Sequence, residues 1–297
     1  MWVANSVSQV SRIAGRANRW LDGDESERRV RIAVSMFAVL MMLRIGLTRF
    51  TPMARIPAPL FDPPWYLSLL HRPPSVAVIL TLQVVGGACA AAAVVIRRPR
   101  VVFAIAWVSY LLLAGLRASR GKIIHPDVLP LLAMVPMLFC PSDARLRGER
   151  VSGRFGAPIR ASMSVVAIAY FFTGYQKLVA SGLSWVLSNN MRWVLTNGVR
   201  ASGVAAPELG SWIANHAIVA QGFAAATLVV EFGAVAALHW RRVRLPFAVA
   251  ATLLHTGIWL FLNLDYSLWA ATVWIVMIDW GAATVPKNTR SRVSKLS

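Results

Sequence analysis

The feature that most constrains this chain is the recurrence of long apolar runs separated by short arginine-rich segments. The runs extend for about 18–23 residues, the length that an α-helix needs to cross the apolar core of a bilayer. Hydrophobic residues make up 57% of the chain and charged residues 14%, which is too apolar for an ordinary soluble domain. The pattern predicts an all-α integral membrane protein with about eight transmembrane helices in one bundle.

The apolar runs divide the chain into a basic segment (1–29), a membrane domain (30–285) and a basic tail (286–297). No cleavable signal peptide is expected in the first segment, because it is polar. The fourth span is the weakest, since it is short and contains Pro130 and Pro136, so it is predicted to be kinked or re-entrant. The eight predicted spans are 30–50, 75–96, 100–118, 127–140, 160–180, 216–238, 245–264 and 267–285.

The distribution of positive charge predicts that both termini are cytoplasmic. The net charge is +19, and the basic residues lie in short segments between apolar runs rather than in one patch. With the N-terminus inside, the inner segments hold 21 Lys and Arg residues and the outer segments hold 8. This excess follows the positive-inside rule and predicts a multi-pass protein of the inner (plasma) membrane. A nucleic-acid partner is therefore not expected.

Three further segments carry structural predictions. Prolines exclude a long helix from the outer loop 51–74, where Trp65 and Tyr66 suit the membrane interface. The stretch 181–195 in the second long outer loop predicts a short amphipathic interfacial helix. The small residues GGACAAAA (86–93) predict a closely packed, buried helix.

Five ionisable side chains in or beside the predicted spans are candidates for function, because such groups are costly in a bilayer and need partners. Depth counted at about 1.5 Å per helical residue places Glu231 and His255 towards the inner side. It places Arg44 and Lys177 further out, and His125 at the outer mouth of the fourth span. The depths predict that Glu231 pairs with His255. They also predict an outer pair of His125 with Lys177, with Arg44 between the two pairs.

Lys177 is the candidate base. Arginine outnumbers lysine 27 to 4, and Lys177 is the one lysine within a predicted span. The abundance of arginine, alanine and valine is typical of a bacterial chain. A partly desolvated lysine can release its proton, whereas arginine keeps it. Tyr170, Thr173 and Gly174 share a helix face with Lys177, and Gly174 would leave room beside the amine.

Each of these residues also has a structural interpretation. Lys177 can extend its amine to the outer headgroups. Glu231 and His255 can form a purely structural salt bridge or hydrogen bond. His125 can cap a loop, and Arg44 can serve as a buried counter-charge.

Seven motifs occur in the order found in a known membrane family. They are MLRIGL (42–47), FDPPWYLSLLHRPP (61–74), GKIIHPDVLPLLAMVPMLFCPSDA (121–144), YFFTGYQKLVASGLSWV (170–186), VVEFGA (229–234), LLHTGIWLF (253–261) and DW (279–280). Through them the chain resembles the horizontally transferred transmembrane (HTTM) domain family. That family is related to the membrane domain of the vitamin K-dependent gamma-carboxylases.

The resemblance implies that Lys177 is a general base. In the carboxylases, a lysine in the matching segment is thought to deprotonate reduced vitamin K, a hydroquinone that then reacts with oxygen. His125 matches a functionally important histidine of the corresponding loop. The expected cofactor is therefore a reduced quinone of the menaquinone or vitamin K type, entering from the lipid bilayer. The residues expected to line or stabilise its cavity are Arg44, Tyr170, Glu231 and His255.

The carboxylases also carry a large extra-membrane domain that holds the protein substrate, and none is expected here after the last span. Quinone chemistry is therefore expected rather than carboxylation of glutamate. The alternative is a non-enzymatic membrane scaffold, or a maturation or export partner for a secreted peptide or an oxidoreductase. A transporter is disfavoured, because no pair of broken helices occupies corresponding halves. No metal is expected, since Cys89 and Cys140 lack metal or disulfide spacing.

Overall fold

The computed structural model describes residues 20–21, 23–121, 125–200 and 203–281, and this part of the chain is predominantly helical, as predicted. The one sheet within these ranges pairs two short antiparallel strands, β1 (Glu25–Ser26) and β2 (Val151–Ser152). The predicted tail 286–297 and most of the predicted segment 1–29 lie outside the described residues. The helices are α1 Glu27–Leu47, α2 Val76–Val95, α3 Arg100–Ala118, α4 His125–Met134, α5 Gly153–Ser181, α6 Ser184–Leu187, α7 Asn190–Gly198, α8 Pro207–Asn215, α9 Ala217–His239, α10 Arg244–Leu262 and α11 Ser267–Met277.

Six helices of the described residues are long and apolar enough to cross a membrane, namely α1, α2, α3, α5, α9 and α10. They match six of the eight predicted spans and indicate a multi-pass membrane protein. The other two predicted spans correspond to shorter apolar helices, Pro126–Phe139 and Ser267–Met277. The first of these was expected to be irregular, and it does change from α4 to a 3-10 turn at Pro136–Phe139.

The last helix is shorter than predicted. The apolar pattern continues to residue 285, but α11 ends at Met277. The chain turns just beyond it, where the backbone N–H of Gly281 donates to the Asp279 carboxylate at 3.3 Å. A local bond from a side chain to the backbone offers an alternative to helical bonding, and hydrophobicity alone does not reveal it.

The chain forms two compact units and passes between them at four points, one of which lies within α5. Unit 1 comprises Met1–Ile124, Met134–Ser162 and Asp279–Ser297, and unit 2 comprises His125–Ala133 and Met163–Ile278. In unit 1, α2 packs against both α1 and α3. In unit 2, α9, α10 and α11 pack in sequence, and the short helices α6 to α8 adjoin α9.

A buried arginine joins α1 to α2 within unit 1. Arg31 is 3% exposed, and its guanidinium donates hydrogen bonds of 2.9 Å to the carbonyls of Ala93, Val94 and Ile96. These carbonyls are at the C-terminal end of α2, where a helix lacks internal donors. The contact therefore places the beginning of α1 beside the end of α2.

The small residues of α2 form its packed stripe. Gly86, Ala90 and Ala93 are buried, whereas Val84 and Val95 are 69% and 81% exposed. The predicted close packing is confirmed. The expectation that the whole helix is buried is wrong, because the small residues cover only one side and the remaining valines and leucines face outwards.

Both long loops follow the sequence pattern. Residues 51–74 form only short 3-10 turns, as their prolines predict, and Trp65 is 85% exposed. The predicted amphipathic stretch 181–195 forms α6 and the first part of α7. On α7, Leu195 is 3% exposed and Trp193 is 69% exposed, so its two faces differ as expected.

The close packing of α2 can be tested at two adjacent glycines. A Cβ atom at Gly86 would lie 2.7 Å from the Cβ atom of Ser109 on α3, so the helices must move apart. We expect Gly86→Ala to lower the free energy of unfolding by roughly 1–3 kcal/mol. Gly87→Ala is the matched control, since a Cβ atom there meets nothing within 4 Å. Unfolding in mixed micelles measures both, and equal stability of the two variants would contradict this packing.

Candidate functional site

The polar face of α5 meets α9 at a glycine. A Cβ atom at Gly174 would lie 3.1 Å from the Glu231 Cβ atom and 3.2 Å from the Phe232 ring. The absence of a side chain at Gly174 therefore lets the two helices approach closely. Lys177 follows three residues later on the same face of α5, which brings its amine to Glu231.

Lys177 and Glu231 form an ion pair inside unit 2, in which Lys177 Nζ donates to Oε1 of Glu231. The Glu231 side chain is 6% exposed and the Lys177 side chain 23% exposed. The amine also lies 5.3 Å from the centroid of the Trp185 ring, within the range of a cation–π contact. The second carboxylate oxygen, Oε2, is buried and has no hydrogen-bond partner in the described part of the chain. This oxygen is enclosed by protein, with the Thr173 hydroxyl of α5 among the polar groups near the carboxylate.

The predicted pairing of Glu231 with His255 is wrong. His255 Nε2 lies 2.6 Å from the hydroxyl oxygen of Tyr170, and Glu231 is bound to Lys177. Counting depth separately along each helix assumes that all helices begin in one plane and have the length of a bilayer core. Helix α5 has 29 residues, which at 1.5 Å per residue is about 43 Å and exceeds a bilayer core of about 30 Å. The long side chain of a lysine also places its amine at a different membrane depth from its own Cα atom.

Tyr170 and His255 form a second polar contact, which aromatic rings enclose. Tyr170 is 1% exposed and His255 is 6% exposed. Tyr266 stacks on His255 with ring centroids 5.5 Å apart, and Phe247 and Trp269 lie 5.4 and 5.7 Å from the Tyr170 ring. The hydrogen bond and the surrounding rings fix the orientation of both side chains and join α5 to α10.

Lys177 and Trp185 line an apolar cavity of about 410 Å³ in unit 2. Among the described residues that line it, Lys177 is the one charged residue, and most of the others are aliphatic side chains of α7, α9 and α10. Phe223 and Leu253 also line the cavity and are 41% and 67% exposed. The cavity therefore reaches the apolar surface that lipid covers in a membrane protein.

These features fit a lipid-soluble ligand with one polar group. The wall is apolar, and its polar end is the cation of Lys177. A hydroquinone has a ring that suits such a wall and hydroxyl oxygens that can accept a hydrogen bond from the ammonium. In the parts of the chain that the structure describes, no group of three or more His, Cys, Asp or Glu side chains is arranged to hold a metal ion.

The structure does not test the place of two predicted site residues. Arg44 lies on α1 in unit 1, whereas Lys177 and Glu231 lie in unit 2. His125 is the first residue of α4, in unit 2, but its side chain is outside the described part of the structure. The pairing of His125 with Lys177, and a place for Arg44 in the cavity, therefore stay predictions.

Trp185 is a site residue that the sequence reasoning missed. Helix α5 ends at Ser181, and Gly182 adopts a positive φ of 56°, which favours glycine. The chain reverses there, and α6 places Trp185 over the Lys177 amine. In the sequence, a glycine directly after the helix that carries Lys177, with a tryptophan three residues later, is the pattern that would have indicated this chain reversal.

Comparison with known proteins finds no relative of this chain. No protein-family model matches it, and no curated protein or solved structure does so either. The resemblance to the HTTM family therefore stays a prediction from the seven motifs.

A double-mutant cycle tests whether the two charges depend on each other. Lys177→Met leaves Glu231 buried without its partner, so we expect it to cost roughly 3–5 kcal/mol of unfolding free energy. Lys177→Met combined with Glu231→Leu removes both charges and should regain most of this loss. With Glu231→Leu alone completing the cycle, unfolding in mixed micelles should give a coupling free energy of about 3 kcal/mol, at the upper end of the usual range. Additive effects of the two substitutions would show that the charges do not interact.

Proposed function

We propose that this chain is an HTTM-family enzyme of a bacterial inner membrane that acts on a lipid-soluble hydroquinone. The observation that carries the proposal is the Lys177–Glu231 ion pair at the wall of an apolar cavity. Ionisable groups in such surroundings are costly, and a cavity with one polar end is the usual form of a small-molecule site. A buried ion pair whose amine lines the cavity supports proton transfer to or from a ligand held there.

The proposed topology has eight spans and both termini in the cytoplasm. Six long helices supply six crossings, and the shorter α4 and α11 supply the other two. An even number of crossings returns the chain to its starting side. The excess of 21 inner over 8 outer basic residues supports this arrangement.

Lys177 and Glu231 together hold one exchangeable proton. When that proton moves to Glu231, Lys177 becomes a neutral amine and can accept a proton from a hydroxyl group in the cavity. Once Lys177 has taken the proton, its ammonium stabilises the hydroquinone anion that forms. A reduced quinone of the menaquinone or vitamin K type would supply the acidic hydroxyl and the reactivity towards oxygen. The apolar wall excludes water, which strengthens the electrostatic interactions of the pair.

Tyr170 and His255 have a supporting role in this proposal. Their hydrogen bond holds α5 against α10, and α10 supplies part of the cavity wall. His125 as a hydrogen-bond partner of Lys177, and Arg44 at the cavity, are part of the proposal on the strength of the family resemblance alone.

A non-enzymatic role is the second proposal, as a membrane scaffold or as a maturation or export partner of a secreted peptide or an oxidoreductase. One observation favours it: Lys177 already has a carboxylate and an aromatic ring as partners. These contacts are sufficient for a structural tie between α5 and α9. The two proposals differ in what they require of Lys177, because arginine can keep the ion pair but cannot release its proton.

The enzyme proposal predicts that Lys177→Arg abolishes activity without unfolding the protein. Purified protein would be given reduced menaquinone or reduced vitamin K with oxygen and bicarbonate, and quinone epoxide would be measured by mass spectrometry. We expect epoxide from the unmodified chain and a loss of at least about 100-fold in Lys177→Arg and Lys177→Ala, the usual scale for removal of a general base. Absence of epoxide from well-folded unmodified protein would favour the scaffold role, whereas full activity of Lys177→Arg would contradict the role of Lys177 as the base.

Filling the cavity should weaken substrate binding. Gly257 lines the cavity, and a Cβ atom there would have only the Phe261 ring within 4 Å, at 3.9 Å. Gly257→Leu should therefore occupy part of the space and raise KM for the reduced quinone by about tenfold or more, by excluding apolar contact. Gly233→Leu is the control, because Gly233 does not line the cavity and a Cβ atom there meets nothing within 4 Å. An unchanged KM in Gly257→Leu would place the substrate elsewhere.

A further inference from the structure

Several arginines gather at one end of unit 1. Because Arg31 of α1 caps the end of α2, the connection from Arg97 to Arg100 lies beside the beginning of α1. The backbone N–H of Arg145 donates at 2.6 Å to the carboxylate of Glu27, the first residue of α1. The loop that follows the 3-10 turn Pro136–Phe139 therefore reaches the same end.

Two arginines near this loop are engaged in structural ion pairs. Arg150 donates to the Glu27 carboxylate through two bonds of 2.8 Å and to the Asp143 carboxylate at 2.7 Å. Arg154 donates to Asp143 at 2.8 Å. The hydrogen bond from Arg150 holds the pKa of Asp143 below its ordinary value, so this carboxylate stays ionised at neutral pH. The positive charges of Arg150 and Arg154 are thus balanced by carboxylates within the unit.

Five other arginines at this end are exposed and form no ion pair with a carboxylate of the described residues. Glu149 adds a single exposed negative charge nearby, so a clear positive excess remains. Unbalanced charges of one sign in a small region repel one another and attract anions. The five are Arg97, Arg98, Arg100, Arg145 and Arg147.

Exposed apolar side chains lie among these arginines. Val95, Val101 and Phe139 are 81%, 68% and 69% exposed, and Leu146 is 44% exposed. A surface in contact with water alone is not expected to expose so many apolar side chains among its charged ones. It suits the boundary of a bilayer, where charged headgroups meet the first carbons of the acyl chains.

We propose that this arginine-rich end of unit 1 binds the phosphate of an anionic phospholipid headgroup. Guanidinium groups present paired donors that match phosphate oxygens, and the neighbouring apolar side chains can contact the acyl chains. The positive-inside rule accounts for the number of charges on one side of a membrane. It does not require a preference for one lipid, and such a preference is what the proposed site adds. The proposal is independent of Lys177 and of the cavity in unit 2.

Native mass spectrometry of the full chain in mild detergent tests the proposal. The protein would be titrated with phosphatidylglycerol and with phosphatidylcholine of the same acyl chains, and we expect bound phosphatidylglycerol at a much lower concentration. The triple substitution Arg97→Gln, Arg98→Gln, Arg100→Gln should weaken this binding on the order of 100-fold, since each cation near an anionic lipid contributes roughly fivefold.

The matched control removes three exposed arginines from the other end of unit 1, after α1 and before α2, as Arg49→Gln, Arg55→Gln, Arg72→Gln. It should bind phosphatidylglycerol as the unmodified chain does. Equal losses in both triple variants would mean a general charge effect and would overturn the site. So would the absence of any preference for phosphatidylglycerol over phosphatidylcholine in the unmodified chain.

Two further arms keep the test decisive. Inorganic phosphate at millimolar concentration should not displace the lipid, because it lacks acyl chains, and full displacement would assign the site to free phosphate instead.

If the first triple variant fails to fold by circular dichroism, Arg145→Gln with Arg147→Gln takes its place. That pair should weaken binding by roughly 25-fold on the same scale, and unchanged binding would overturn the proposal.

Discussion

The ion pair between Lys177 and Glu231 governs the arrangement of unit 2, because neither charge is tolerated alone among apolar side chains. The pair requires α5 and α9 to approach closely, and Gly174 makes this approach possible by leaving the contact free of a side chain. Once the helices are in contact, the reversal at Gly182 returns Trp185 to the amine. The cavity then has one charged residue at its edge and apolar walls elsewhere among its described lining residues.

Two different uses of charge are visible in the chain. In unit 1, Glu27 and Asp143 are matched by Arg150 and Arg154, and these contacts tie the loop before α5 to the beginning of α1. In unit 2 the amine of the pair lines an apolar cavity, while the Glu231 carboxylate is buried and is not among the lining residues. The first arrangement has the character of a structural link. The second places a paired amine at the wall of a cavity, which is why the proposed chemistry is placed there.

Much of the fold follows from local patterns in the sequence, whereas the partners of buried polar groups do not. Long apolar runs predict the helices, and the spacing of Tyr170, Gly174 and Lys177 predicts one polar face of α5. The same reasoning paired Glu231 with His255, because depth along a helix says nothing of where neighbouring helices begin or how they are rotated. The end of α11 at Met277 was missed for a related reason, since a turn stabilised by Asp279 leaves hydrophobicity unchanged.

The central claim is that a ligand in the cavity meets the amine of Lys177. The chain has only four lysines, Lys122, Lys177, Lys287 and Lys295, so the spectrum of protein labelled with 15N at the lysine amine is simple. The Lys177 resonance is assigned by its loss in Lys177→Arg, and reduced menaquinone is then added to the unmodified chain without oxygen. The account predicts that this resonance shifts in a saturable manner while the other three stay in place. A Lys177 resonance that stays unmoved at saturating reduced menaquinone would contradict it.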